Sequence, residues 1–306
     1  MDEFCFEISE ELENERIDKC LSLLMDSLSR SFIQKLIKEE KVSVNGSAVK
    51  GSYRVKAQDN VSFFLPKAVE PEIVPEDIPL DILYEDEDVI VVNKPKGMVV
   101  HPAAGHYSNT LVNALLYHCG GGLSGINGVM RPGIVHRIDM DTTGSIIACK
   151  NDRAHACIAR QLSEHTINRR YHAICQGVLK EDEGVIDRPL GRHPVERKRM
   201  AVVGNGKPAL THYRVLRRFA GYTYIECVLE TGRTHQIRVH MSDLGYPLLG
   251  DEVYGGRKSP FRLQGQTLHA KVLGFCHPAD GRYVEVDAPL PEYFVRLLEI
   301  LPRSGS

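Results

Sequence analysis

The 306-residue sequence predicts an α+β protein, with a mixed or antiparallel central β-sheet in its larger part and a small α/β module at the N-terminus. Three observations carry this reading. Strand-like runs dominate from about residue 80 onward, with only a few helices inserted among them. Residues 16–67 follow a separate order of helix, helix, strand, turn and strand. Between these parts lies a stretch rich in proline and acid, and the length leaves room for about two domains.

In the first part, Ile17, Leu21 and Leu24 recur at helical spacing. A second helix starts at Ser29 or Ser31, either of which can cap it, and runs through Phe32-Ile33-Gln34-Lys35-Leu36-Ile37-Lys38 with one apolar and one basic side. Lys41–Val44 is a strand that enters an Asn45-Gly46 hairpin turn, and Val61–Leu65 closes the unit. Residues 68–79, with Pro71, Pro75 and Pro79 among acids and Pro66 just before, read as an extended linker stiffened by fixed φ angles.

Beyond it, Ile82–Glu85 and Val89–Asn93 flank an acidic turn and form a hairpin. Lys94–Pro102 is a loop, 145–149 a buried strand, and 152–165 a helix with Ala154, Cys157, Ile158, Ala159 and Leu162 on its apolar side. Strands near 170–178, 209–217 and 222–230 precede a helix over Thr234–Leu244, capped by Thr234 and stopped by Gly245. A last hairpin joins 271–276 to 282–286, giving a second domain over 80–302.

The net charge of −2 conceals a strong segregation. Residues 1–15 carry seven acids and no lysine or arginine, and residues 68–90 carry nine acids and no base. The blocks 16–67 and 91–306 are correspondingly basic, at +5 and +9, which suits a phosphate-rich partner. The eight cysteines include no Cys-x-x-Cys pair and read as reduced residues, several of them in the core. The longest aliphatic runs, such as Val89–Val92, are far short of a membrane span, so no membrane association is expected. The acidic start lacks a signal-like apolar core, which predicts a cytoplasmic protein.

The most informative stretch is Pro132-Gly133-Ile134-Val135-His136-Arg137-Ile138-Asp139-Met140-Asp141-Thr142-Thr143-Gly144. It sets Asp139 in a polar, glycine-bounded turn just before a buried strand, where a carboxylate is placed to act as nucleophile or acid/base. Read in isolation, such an aspartate satisfies its own turn amides. Two further segments change that reading: Arg169-Arg170-Tyr171-His172-Ala173, and Glu230-Thr231-Gly232-Arg233-Thr234-His235-Gln236-Ile237-Arg238-Val239-His240. Together the three resemble, in the right order, the RluA/RluD family of RNA pseudouridine synthases. The resemblance spans residue 16 to about 300 and implies a long mixed sheet with the active cleft at its centre.

The resemblance also implies site residues. Asp139 occupies the position of the family's catalytic carboxylate in its His-Arg-x-Asp-x-x-Thr-Ser-Gly motif. Met140 stands where lysine or arginine is common, and Thr143 where serine is common. Tyr171 corresponds to the tyrosine that stacks on the extracted uracil. Arg233 corresponds to the basic partner of the aspartate, and Arg137 to an arginine that contacts RNA. Residues 16–67 resemble the alpha-L RNA-binding module, with Arg30, Lys35, Lys38 and Lys41 as its RNA-binding residues. The basic run Arg197-Lys198-Arg199 is expected to clamp RNA from a loop.

The expected activity is thus isomerisation of uridine to pseudouridine in structured RNA, chiefly large-subunit (23S) ribosomal RNA. The reaction is redox-neutral and calls for no cofactor. His136 with Asp139, and His235 with His240, lack metal-site spacing and a third ligand, so no metal is expected. Nothing sets an oligomeric state, and a monomer is expected. Two other classes compete: a non-catalytic RNA-binding or ribosome-assembly protein, and a glycosidic-bond hydrolase. A hydrolase usually needs a second carboxylate as acid, and no matching acidic partner appears in these motifs.

Overall fold

The computed structural model describes residues 2–25, 28–65, 73–103, 105–126, 128, 131–196, 199–255 and 259–302. The chain divides into two compact units, Met1–Glu70 and Pro71–Ser306.

The N-terminal unit contains β1 (Asp2–Glu7), α1 (Ile17–Leu24), α2 (Arg30–Lys38), β2 (Val42–Val44), β3 (Ser47–Ala48) and β4 (Asn60–Leu65). Its sheet order is β1-β4-β2-β3. Ser29, rather than Ser31, caps α2, its side chain accepting from the Phe32 amide. Asn45 and Gly46 both hold left-handed φ, as the tightest hairpin turn requires. The acidic first fifteen residues contribute to the unit's sheet. β1 pairs antiparallel with β4, and Phe4 and Phe6 stack on the buried Phe63 at 5.3 and 6.0 Å. The unit therefore starts well before residue 16. Alternating aromatics beneath a heavy acidic charge had hidden the strand.

The second unit begins with β5 (Ile82–Glu85), β6 (Val89–Lys94), α3 (Leu111–His118), β7 (Thr143–Cys149), α4 (Asp152–Ser163) and β8 (Asn168–Gln176). It continues with β9 (Glu183–Asp187), β10 (Leu190–Arg192), β11 (Met200–Val202), β12 (Leu210–Phe219), β13 (Tyr222–Leu229) and α5 (Gln236–Asp243). β14 (Leu268–Cys276), β15 (Tyr283–Asp287) and α6 (Glu292–Ile300) complete it. Nine strands form one sheet in the order β5-β6-β7-β14-β8-β13-β12-β9, with β15 also paired to β14. Among the described pairings β7–β14 is parallel and the rest are antiparallel, so the sheet is mixed. β10 and β11 form a small separate ribbon.

β6 and β7 are covered on both faces, which is why they read as continuous apolar runs. Ile90, Val92, Ile146 and Ala148 face a core shared with α3 and α5, while Val89, Val91, Ile147 and Cys149 face α4. The predicted linker is only partly separate. Ile73 joins the main core, the Asn113 side chain donates to the Val74 carbonyl, and the Glu76 amide donates to the Asn113 carbonyl. Residues 73–79 are thus packed as part of the second unit.

Strand register builds the site. Gly144 on β7 aligns with Ala270 on β14, and Ala270 aligns with Tyr171 on β8. Gly144 has φ +106, and a Cβ there would lie 2.3 Å from the Ala270 carbonyl oxygen. Close approach of the parallel pair thus brings the turn carrying Asp139 to the strand carrying Tyr171.

Candidate active site

The turn before β7 is held from behind. Lys94, at the end of β6, is only 1% exposed, and its ammonium donates to the carbonyls of Pro95, Met98 and Met140 at 2.8–2.9 Å. Burial pushes this lysine down to about 7, against the opposing pull of Asp141 and Asp139. The Met140 carbonyl also accepts from the Gly97 amide, and the Thr142 amide closes the turn onto the Asp139 carbonyl. Thr143 does not face the cleft. Its hydroxyl lies 2.8 Å from His269 Nδ1, within the sheet.

Asp139 emerges at a cleft of about 780 Å³ with its side chain 24% exposed. Its Oδ2 accepts from Arg238 Nη1 at 2.8 Å. The rest of that guanidinium is committed to Asp251: Nε donates to Oδ2 at 2.7 Å and Nη2 to Oδ1 at 3.0 Å. Asp251 is fully buried and also accepts from the Val253 and Tyr254 amides. Burial opposes the charge on Arg238, but the bonds to Asp251 and the nearby Asp139 outweigh it, so its pKa is raised. The guanidinium is a fixed cation with one arm presented to Asp139.

This corrects the expected partner. Arg233 lines the same cleft, but its Nε donates to the Pro208 carbonyl instead. The helix expected from Thr234 starts later, at Gln236, with His235 in a left-handed conformation at its cap. The Gln236 amide ties the turn by accepting from the Arg233 amide and the Thr231 hydroxyl and donating to Leu210 and Thr211. Arg233 lies before the left-handed cap and is spent on the Pro208 carbonyl, and the first turn of α5 brings Arg238 to Asp139. His235 Nε2 stands 3.7 Å from Asp139 Oδ1, and its Nδ1 is 2.8 Å from the Tyr254 hydroxyl. Burial lowers the pKa of His235 despite the pull of Asp139.

Tyr171 lines the cleft at 7% exposure, and burial raises its phenol above the ordinary value. The exposed Arg137 and the buried His101 also line it. Burial, with Arg131 and Arg137 nearby, pushes His101 down to about 4, and its Nδ1 has no hydrogen-bond partner. Among the described lining residues Asp139 is the only acid.

The remaining predicted residues lie elsewhere. Arg199 pairs with Glu196 at 3.1 Å and sits over the Tyr254 ring, while Arg197 and Lys198 fall outside the described residues. In the N-terminal unit, Lys35 and Lys38 are exposed on α2, and Lys41 pairs with Glu39 at 2.6 Å. Arg30 is committed to the fold, donating to the buried Asp18 at 3.0 Å. His136 accepts from the Ile147 amide, and His240 bonds Thr211 and the Arg188 carbonyl, both structural placements. The grouping with metal-like spacing among the described residues is Asp86, Asp88 and His277. Its ring and carboxylates are already engaged with one another and with Tyr84, Asn151 and Arg153.

Residues 88–243 match the family described as RNA pseudouridylate synthase, and residues 15–61 match the S4 domain. The chain is 52% identical over 297 residues to a Bacillus subtilis protein described as an uncharacterized RNA pseudouridine synthase, YlyB, covering 97% of both chains. It is 49% identical to the ribosomal large subunit pseudouridine synthase D of Zymomonas mobilis, with 96% of each chain covered. Among solved structures, human RNA pseudouridylate synthase domain containing 1 aligns at TM-score 0.57 and 26% identity, over 79% of this chain and 100% of that one. The chain belongs to the RNA pseudouridylate synthase family.

Proposed function

We propose that this protein isomerises uridine to pseudouridine in large-subunit ribosomal RNA, with Asp139 as the catalytic carboxylate. The observation that carries the reading is an aspartate fixed by one arm of a clamped arginine, with no described donor within hydrogen-bond distance of its other oxygen, in a cleft with no second described acid. The bond from Arg238 sets the direction of the carboxylate. In the reaction the C1′–N1 bond of the target breaks, uracil turns, and a C1′–C5 bond forms. The C5 proton leaves to solvent and N1 gains a proton, so the overall change is an isomerisation. Asp139 assists loss of the base at C1′, and Tyr171 supplies the aromatic surface that replaces the lost stacking. Extracting the base costs roughly a few kcal/mol, offset by stacking and by contacts to the RNA backbone.

The S4 match and the exposed Lys35 and Lys38 support RNA capture by the N-terminal unit. No helix among the described residues is long and apolar enough to cross a membrane, and a cytoplasmic location accords with a ribosomal RNA substrate. The test is release of tritium from RNA labelled at uridine C5. The isomerase frees tritium without freeing uracil, a hydrolase frees uracil, and a binding protein frees neither.

A further inference from the structure

Arg169 is the unexplained charge of the cleft. It projects from β8 two residues before Tyr171, lines the cleft, and is 7% exposed. Its Nε is buried with no hydrogen-bond partner, and no carboxylate of the described residues lies within ion-pair distance. The other buried lysine and arginine among the described residues are satisfied: Lys94 by three carbonyls, Arg238 by two aspartates. A buried guanidinium without an anion is costly, so a fold retains one where an anion arrives from outside.

The wall opposite is cut to fit it. A Cβ on Gly232 would stand 2.7 Å from Arg169 Nη1, so the absent side chain leaves room for the guanidinium against the Gly232 backbone. Gly232 lines the same cleft and precedes Arg233. Asp139, the cleft's only described acid, is already held by Arg238 and does not pair with Arg169.

We propose that Arg169 is a phosphate-binding residue, taking a phosphodiester of the RNA strand that carries the uridine into the cleft. Uracil and ribose are uncharged at neutral pH, so the backbone phosphate is the anion this substrate brings. The planar, multiply donating guanidinium suits its oxygens. The inference rests on RNA being the substrate of the cleft, and it assigns the residue that positions the strand rather than one that does the chemistry.

The test uses the full-length protein with two probes: a large-subunit ribosomal RNA fragment and pentauridylate carrying one neutral methylphosphonate at each linkage in turn. For wild type, one linkage should cost about tenfold in affinity when neutralised, the scale of one charge-assisted contact. In Arg169→Met that penalty should vanish, and the salt slope of ribosomal RNA binding should fall by about 0.7 to 0.9, one phosphate fewer. Gly232→Ala should also erase the penalty, by displacing the guanidinium without removing its charge. The melting temperature of Arg169→Met should hold or rise, since an unpaired buried charge is gone; an arginine retained for folding would lower it. The proposal is overturned if the methylphosphonate penalties are the same in wild type and Arg169→Met, or if the salt slope is unchanged. Tritium release by wild type is scored separately, so a failed isomerase reading shows as no release whatever the binding data give.

Discussion

Asp18 in the N-terminal unit and Asp139 in the catalytic unit are both aspartates held by arginine, and they are held differently. Asp18 is completely buried and accepts from Arg16, Arg30 and Gln34, with both oxygens engaged. Burial works against its charge, but those donors win and its pKa falls well below the carboxylate range. Asp139 accepts one bond from Arg238 and leaves Oδ1 toward the cleft with His235 at 3.7 Å. The cluster around Asp18 spends its donors on the fold. That around Asp139 spends its donors on Asp251, leaving one arm to aim a carboxylate that remains available.

Exchanging the charge at the two positions should therefore have opposite consequences. Asp139→Asn should cut turnover by on the order of 10⁴ or more, as for loss of a reacting group, while leaving the melting temperature within a few degrees. Asp18→Asn should leave turnover per folded molecule unchanged but cost roughly 1.5–3 kcal/mol of stability, measured by urea unfolding. Equal effects on stability from both would erase the distinction.

Next in size is the support behind the turn. Lys94→Met takes the Lys94 donor from the Pro95 and Met98 carbonyls and leaves the Met140 carbonyl, on the residue after Asp139, with only the Gly97 amide; it should cost about 3 kcal/mol or more. Turnover by the folded fraction should fall with it. A stable, fully active Lys94→Met would show that the turn is fixed elsewhere.

Arg238 and Arg233 sharpen the comparison within one segment. Arg238→Met leaves Asp251 buried and unpaired, at a cost of about 3–5 kcal/mol. Arg233→Gln breaks one backbone contact and should stay within about 0.5–1 kcal/mol of wild type. Differential scanning calorimetry of the two separates them.

The smallest effect is on pH. Because the folded pKa of Asp18 lies below its unfolded value of about 3.9, its contribution is complete above that pH and disappears as pH falls below it. Wild type should therefore lose stability faster than Asp18→Asn on acidification below about pH 4. Parallel acid-unfolding curves would contradict this.

Much of this was legible in the chain. The two-face burial of β6 and β7, the Asn45-Gly46 turn and the Asp139 turn all follow from local pattern. What escaped depended on geometry that spacing does not fix. The choice between Arg233 and Arg238 turns on one left-handed residue, His235, and the only hint was the i, i+3 spacing of His235 and Arg238 at a helix start. Asp251, thirteen residues beyond Arg238, carries no periodic signal. α3 had a readable one: Thr110 and Asn113 form a reciprocal cap before Leu111-Val112 and Ala114-Leu115-Leu116. β1 carries its aromatics among acids, and Arg169 carries no signal of burial beside the equally basic Arg170.

The most direct test of the central claim is pseudouridine mapping of large-subunit ribosomal RNA from cells lacking this protein, complemented with wild type or Asp139→Asn. The account predicts that specific pseudouridines disappear without the protein, return with wild type, and stay absent with an Asp139→Asn protein that is equally abundant and still binds RNA. Restoration by Asp139→Asn, or a ribosomal RNA with every pseudouridine intact in the cells lacking the protein, would contradict it.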